Sequence, residues 1–295
     1  MISSKGYICI AQNNNKTDYL EQAYALALNL KLTQTTVNKL SVCVDKETKK
    51  LIKKKHRDAF DHIIDIPWLD DAKGEEWKIH NKWKYFYMTP YDETVILDTD
   101  MIFPTDVSYW WPILAQRDVW STTKVKTYRG ETVEHDTYYR KYFLANNLPN
   151  VYTAFFYFKQ SDLAADLFAM IEIIFSHWQR MFYLYMPEGK PDNLSGDVAF
   201  ALAMKILGIE HECTRENVTN VPTFVHMKSH IQNIPYSKMS HVWTESLPTY
   251  YRSYDNFKIG NFQQTLPFHY HEKEWLGPDM IKQLEEDYAS ITKTG

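Results

Sequence analysis

Thr94-Val95-Ile96-Leu97-Asp98-Thr99-Asp100 is the stretch that decides how the chain is read: four apolar or β-branched residues run out into two carboxylates spaced by one residue. A run of this length and composition reads as a buried strand. In an open α/β sheet, ligands bind beyond the carboxyl ends of the strands. Two carboxylates placed there repel each other unless a cation lies between them, which makes a divalent metal the natural occupant. A metal with few protein ligands keeps positions open for phosphate oxygens. Taken alone, Asp-x-Asp also fits a strand–turn boundary with two solvated acids, so its surroundings must decide.

Those surroundings alternate strand and helix signals. Gly6–Ala11 reads as a first strand, and Gln12-Asn13-Asn14-Asn15 as the loop after it. Asp18–Leu30 follows with Leu20, Ala23, Tyr24, Ala27 and Leu28 at helical spacing. Leu40–Val44 is a second strand, Glu47–Phe60 a strongly basic helix and His62–Ile66 a third strand. Trp77–Met88 reads as a helix stopped by Pro90, ahead of the fourth strand Thr94–Leu97. Repeated units of this kind imply an α/β fold with a mostly parallel sheet and helices on both faces. Beyond Asp100 the rhythm loosens. Asp106–Leu114 resembles a short helix, Asp118–Thr123 and the aromatic run Tyr152–Phe158 strands, and Ser161–Trp178 a long amphipathic helix. Leu194–Leu207 is a helix ended by Gly208, and a terminal helix is expected near Pro278–Ala289. No repeat or linker interrupts the 295 residues, so one continuous domain is expected over 1–295.

The net charge of −4 excludes a global electrostatic pull toward nucleic acid, leaving only local patches. One patch is Lys46–Arg57; it could track a phosphate backbone, but the residues favour the solvated outer face of a helix whose inner face is Leu51, Ile52 and Phe60. A second comprises Lys124, Lys126 and Arg129 with Arg140 and Lys141, downstream of the Asp-x-Asp. Three cysteines without metal spacing, two of them (Cys9 and Cys43) inside apolar runs, suit a reducing, cytoplasmic setting. Tyr7–Ala11 is too short for a signal peptide's apolar region. Asp166 and Glu172 interrupt the longest apolar stretch, so no membrane span or membrane partner is expected.

An N-terminal strand, a polar loop and an Asp-x-Asp ending a fourth strand form the layout of a nucleotide-sugar transferase, and the chain resembles the GT-A glycosyltransferases. Within them it is similar to the glycogenin-like and lipopolysaccharide-galactosyltransferase-like group, and more specifically to glycosyltransferases carried by T-even-like and marine tailed phages. The resemblance is carried by Tyr7–Asn13, Asn81-Lys82-Trp83-Lys84, Val95–Met101, Asn146–Asn150 with the aromatic strand after it, Asp197-Val198-Ala199, Phe224–Lys228 and Ile259-Gly260-Asn261. It implies a nucleotide-sugar-binding half over 1–123 and an acceptor-binding half over 124–295. It further implies a UDP-sugar donor, Mn²⁺ or Mg²⁺ as cofactor, retention of configuration, and double-stranded DNA bearing 5-hydroxymethylated pyrimidines as acceptor. A glycan or protein acceptor is the runner-up. A non-catalytic nucleotide-binding or host-interaction module is the alternative from another class.

Site residues follow from the two readings together. Asp98 and Asp100 would hold the metal, which neutralises the leaving diphosphate. The resemblance implies that a late histidine completes the metal site; His226, ending the strand-like Thr223–His226, is the candidate, with His269 and His271 as competitors. An imidazole ligand favours Mn²⁺. By the same resemblance Lys228 would hold the diphosphate, although the family pattern His-x-x-Gly-x-x-Lys-Pro-Trp is absent. Lys82 is a second phosphate or ribose candidate; a solvated helix face beside Lys78 and Lys84 explains it equally well. The loop Ala11-Gln12-Asn13 would meet the nucleobase and ribose, the side-chain amides reading the base edge, and Tyr19 would stack on the base. Asp197 lies at a helix N-terminus, where a carboxylate suits the helix dipole; the resemblance implies that it contacts the donor sugar or supports the reaction centre. A nucleotidyltransferase would carry a Gly-rich basic loop after the first strand, and Gln12–Asn15 holds neither glycine nor arginine.

Overall fold

The β-branched and aromatic runs become strands where the alternation placed them. The structure, a computed structural model, describes residues 4–133, 140–214, 222–229 and 242–292. In chain order the strands are β1 (Lys5–Ala11), β2 (Leu40–Val44), β3 (His62–Asp65), β4 (Glu93–Leu97), β5 (Met101–Ile102), β6 (Val119–Thr122) and β7 (Tyr152–Lys159), then β8 (Val225–His226), β9 (Thr249–Ser253), β10 (Asn256–Ile259), β11 (Phe262–Gln263) and β12 (Phe268–His269).

Six of them form the central sheet, in the order β3-β2-β1-β4-β7-β6. β1 pairs in parallel with both β2 and β4, while β7 runs antiparallel to β4 and β6. The chain order therefore reverses between β1 and β4, and a crevice opens beyond the carboxyl ends of those two strands. The period of two shows in the packing. Tyr7, Cys9, Val95, Leu97, Phe155 and Tyr157 join a core with the helix Tyr19–Thr33 on one face. Ile8, Ile96, Phe156 and Phe158 join another with the helices Asp162–Ser176 and Gly196–Leu207 on the opposite face. Both faces of the inner strands are thus dry, as a mostly parallel sheet requires, while the edge strand β3 is partly exposed.

Local chemistry sets the helix ends. Asp18 accepts from the Glu21 amide, Ser161 from Ala164 and Ser195 from Val198, each capping the helix it precedes. Gly208 closes the helix Gly196–Leu207 at φ 69°, in the left-handed region. Gly6 serves a different need: a Cβ there would lie 2.3 Å from the Tyr91 ring.

Two smaller sheets stand on the carboxyl side, one ordered β11-β10-β9 and the other β5-β12-β8. β12 pairs antiparallel with β5, bringing His269 opposite Met101, and parallel with β8, bringing His269 beside His226. Phe268 faces the third core, its ring 4.7 Å from that of Phe257.

Three expectations change. The basic segment is two short helices, Lys46–Lys50 and Lys54–Ala59, because His56 Nδ1 accepts from the Lys53 amide and starts a second helix where the first has ended. Trp77–Met88 is helical only at its end: a 3₁₀ turn over Lys82–Lys84 leads into Tyr85–Met88. Ser161–Trp178 is helical over Asp162–Ser176, with a new helix beginning at Trp178. Among the described residues no helix is long and apolar enough to cross a membrane.

Candidate active site

β4 is fully buried along its length and its strand pairing ends at Leu97, with one last bond from the Asp98 amide to the Ala154 carbonyl at 3.3 Å, so both carboxylates stand at the carboxyl end of the strand, at the crevice. Asp100 is 2% exposed and Asp98 half-buried. Each carboxylate meets a different ammonium. Lys82 Nζ donates to Asp98 Oδ1 at 2.6 Å, and Lys273 Nζ to Asp100 Oδ2 at 2.5 Å. His269 Nε2 lies 3.0 Å from Asp100 Oδ2 and 3.9 Å from Asp98 Oδ2. One ligand atom from each of Asp98, Asp100 and His269 falls within 4.8 Å of the others. Two carboxylate oxygens and an imidazole nitrogen are a donor set that suits a divalent transition metal.

The electrostatics follow from this crowding. Burial raises the Asp100 pKa, but His269 and Lys273 outweigh it and hold the carboxyl well below the usual range. Burial lowers those of Lys82 and Lys273, yet Asp98 and Asp100 respectively keep both above the ordinary lysine value. Both lysines are therefore charged.

His226 is not the histidine at the carboxylates. In the order β5-β12-β8, the strand beside the one that follows Asp100 is β12, and β8 is one position further out. His226 instead packs edge-on against His269, ring centroids 5.1 Å apart, and His271 stands 5.9 Å from His269. Burial, then the neighbouring imidazoles, pushes His226 well below the ordinary histidine pKa; burial and His269 take His271 down to about 3. Both rings are neutral.

Lys82 is not on a solvated helix face: its side chain is only 11% exposed and is bound to Asp98. Neighbouring Lys84 is buried, held by Asn81 Oδ1 at 2.7 Å, Asp71 Oδ2 at 3.1 Å and the Leu69 carbonyl. Lys228 lies on the turn after β8, with Asp197, Arg140 and Lys273 as its electrostatic neighbours. The lysine that reaches the carboxylates from the late part of the chain is Lys273, which the sequence reading did not single out. Its signal is its place four residues after a candidate histidine, His269-Tyr270-His271-Glu272-Lys273.

Ala11 ends β1 at the crevice, and the amides that follow it are already engaged within the protein. Gln12 Nε2 donates to Asp45 and Asp70, and its Oε1 accepts from Asn81. Asn13 Oδ1 accepts from the Leu20 amide, and its Nδ2 donates to Asp18. The side chains expected to read a base edge instead fix the loop. Tyr19 opens the first helix, with Lys273 Nζ 5.5 Å from its ring centroid.

Asp197 lies in the first turn of Gly196–Leu207, but Ser195 does the capping. Asp197 Oδ1 accepts from the Thr153 amide at 2.9 Å and hydroxyl at 2.7 Å, and Oδ2 from Arg140 Nη1 at 2.8 Å. Burial raises its pKa, but Arg140 and Thr153 bring it below the usual carboxylate value. Arg140 is thereby removed from the basic patch, and Arg129 pairs with Glu131 at 3.2 Å. The basic helices are answered too: Lys49 pairs with Asp65, Lys50 with Glu47, and Lys55 with Glu21.

No protein-family model and no curated protein sequence matches the chain. Solved structures do. An active-site mutant of the galactosyltransferase LgtC superposes with a TM-score of 0.51 at 12% identity, covering 97% of this chain and 95% of that one. LgtC in complex with donor and acceptor sugar analogs gives 0.49 with the same identity and coverage. Apo mouse xyloside xylosyltransferase 1 gives 0.44 at 11% identity over 72% of this chain and 84% of that one. The fold is that of the GT-A glycosyltransferases, a mixed, mostly parallel sheet flanked by helices. On it the chain carries an Asp-x-Asp metal-type cluster at the carboxyl edge of β4.

Proposed function

We propose that the chain is a metal-dependent glycosyltransferase that moves a sugar from a nucleoside-diphosphate sugar, a UDP-sugar, to an acceptor hydroxyl. The observation that carries this reading is the meeting of Asp98, Asp100 and His269 at the switch point of the sheet, flanked by Lys82 and Lys273. Asp98, Asp100 and His269 would hold the metal, Mn²⁺ being favoured by the imidazole. The ion supplies Lewis-acid neutralisation of the diphosphate as the glycosidic bond to it breaks.

The chain's own residues have distinct tasks. Lys82 and Lys273, two charged ammonium groups beside the cluster, present donors to phosphate oxygens. Lys228, on the same side, adds a third. Tyr19 stacks on the base while the backbone of Ala11, Gln12 and Asn13 borders it, the amide side chains keeping the loop in shape. Asp197 accepts from a donor-sugar hydroxyl. A carboxylate with three hydrogen bonds and a lowered pKa is a weak base, which agrees with a retaining reaction needing no carboxylate to deprotonate the acceptor.

The acceptor assignment, 5-hydroxymethylated pyrimidine in phage DNA, rests on the sequence resemblance. Reaching such a base needs groove access or extrusion of the base. The test is transfer from radiolabelled UDP-glucose, UDP-galactose and UDP-arabinose onto hydroxymethylcytosine DNA, with glycan and protein acceptors in parallel. Label on a glycan or protein but not on DNA overturns the acceptor. Metal-independent nucleotide binding, unchanged in Asp100→Ala and without sugar release, overturns the enzyme.

A further inference from the structure

Arg140 is an unusual place to find a guanidinium. It is 1% exposed, in a chain whose other basic residues mostly line the surface. The faces of the group are covered by Phe143 and Tyr152, whose ring centroids lie 3.8 and 3.9 Å away. Among its partners are three acceptors: Nε donates to Asn150 Oδ1 at 2.7 Å, Nη2 to the Val151 carbonyl and Nη1 to Asp197 Oδ2 at 2.8 Å. The first two acceptors are on the backbone and side chain leading into β7, so the guanidinium is fixed to the sheet before it reaches Asp197. A planar fork held at three corners sets both the position and the direction of its partner.

Asp197 is correspondingly constrained. A carboxylate offers about four lone-pair directions. Thr153 takes two on Oδ1 and Arg140 one on Oδ2, leaving one direction on Oδ2. A Cβ on Gly196 would lie 3.7 Å from Lys82 Cδ, so the Lys82 stem runs past the turn that bears Asp197 before its ammonium reaches Asp98. A donor with its diphosphate at the Asp98–Asp100 edge therefore has its next group, the sugar, within the surroundings of Asp197. The remaining lone pair of an ionised carboxylate accepts from a hydrogen-bond donor, and a sugar presents its donors as hydroxyls.

We infer that Arg140 is a positioning residue: anchored through Asn150 and Val151, it aims the last acceptor direction of Asp197 at one hydroxyl of the donor sugar, and so sets how tightly the sugar, as opposed to the nucleotide, is held. This rests on the glycosyltransferase reading. Arg140 acts through Asp197, so its replacement is expected to weaken only the portion of affinity that the sugar contributes.

The experiment is isothermal titration, in Mn²⁺, of UDP and of UDP-glucose, UDP-galactose and UDP-arabinose into wild type, Arg140→Lys, Arg140→Met and Asp197→Asn, with circular dichroism to confirm folding. UDP affinity is expected to stay within about twofold of wild type in all three variants. Affinity for the preferred sugar nucleotide should fall about tenfold, or about 1.4 kcal/mol, in Arg140→Met and Asp197→Asn, with Arg140→Lys intermediate. Equal weakening of UDP and the sugar nucleotide, or no weakening of either, overturns the proposal. If Arg140→Met does not fold, Arg140→Lys and Asp197→Asn decide it by the same comparison. Wild type that binds no UDP in Mn²⁺ overturns the glycosyltransferase reading itself. A wild type that binds, with variants that keep the sugar's contribution, overturns only the role of Arg140.

Discussion

Changing Asp100 to asparagine removes one charge from a set of two carboxylates and two ammonium groups, and the structure fixes what that does to stability. Asp100's side chain is 3% exposed and Lys273's 23%, with 2.5 Å between Nζ and Oδ2. Breaking a fully buried pair by deleting one partner costs about 3–5 kcal/mol, because the other charge is left uncompensated. Lys273 retains some access to water, which brings the expected loss for Asp100→Asn to about 2 kcal/mol. Unfolding entropy of about 2.1 cal/mol/K per residue over 295 residues turns this into a fall in Tm of about 3 °C. Lys273→Met should destabilise as well, and the double variant by less than the sum, with a coupling of about 1–2 kcal/mol. The assay is urea unfolding of all four proteins at pH 7 in excess chelator, so that metal binding does not contribute. An Asp100→Asn protein more stable than wild type would refute the reasoning. Repulsion between Asp98 and Asp100 would then dominate, and the lysines would not neutralise it.

Other outcomes follow from the same geometry. His269→Ala should abolish Mn²⁺ binding in the presence of UDP, followed by electron paramagnetic resonance, while His226→Gln weakens it by less than about tenfold (about 1.4 kcal/mol); the reverse ranking would restore His226 as the ligand. Gly6→Ala places a methyl against the ring of Tyr91, whose hydroxyl is held by Ser41 and Asp61; overpacking there should destabilise by about 1–3 kcal/mol, and an unchanged urea midpoint would contradict it. His226 and His271 both have folded pKa values below the ordinary 6.5, by burial first. Their contribution is therefore complete above about pH 6.5 and is lost as pH falls toward the folded values, about 3 for His271. In chelator, unfolding free energy should drop below pH 6.5 by up to about 1.4 kcal/mol per pH unit for each histidine; a flat profile between pH 7 and 5 would refute neutral burial.

The strands were legible because each is a short apolar or β-branched run whose period of two must match a sheet dry on both faces, as Tyr7–Ile8–Cys9 and Val95–Ile96–Leu97 show. The helix at 77–88 was misread because its decisive residue acts at long range. Asn81 bonds Gln12, Asp70 and Lys84, and that network holds the preceding residues in turns despite their helical spacing. The basic helix was misread for a local reason, five lysines on successive turns that gain nothing from continuing one helix, with His56 ready to start a new one. In the site, Asp98 and Asp100 were readable from their own strand. The choice among His226, His269 and His271 was not, since it depends on β12 lying between β5 and β8. Arg140 likewise read as surface charge, because nothing local reveals that Phe143 and Tyr152 close over it.

The strand β12 has a consequence for the order in which the protein becomes complete. His269 and Lys273 reach Asp100 over sequence separations of 169 and 173. A nascent polypeptide can assemble β1 to β7 on the ribosome while the carboxylates still lack these two partners. During that interval Asp100 has neither of the groups that hold its charge, and contacts of such separation are among the slowest to form. A fragment ending before His269 would lose the cluster, and with it the packing of Leu284 into the first core. Docking of the late segment beside β5 is thus the step that completes the cluster.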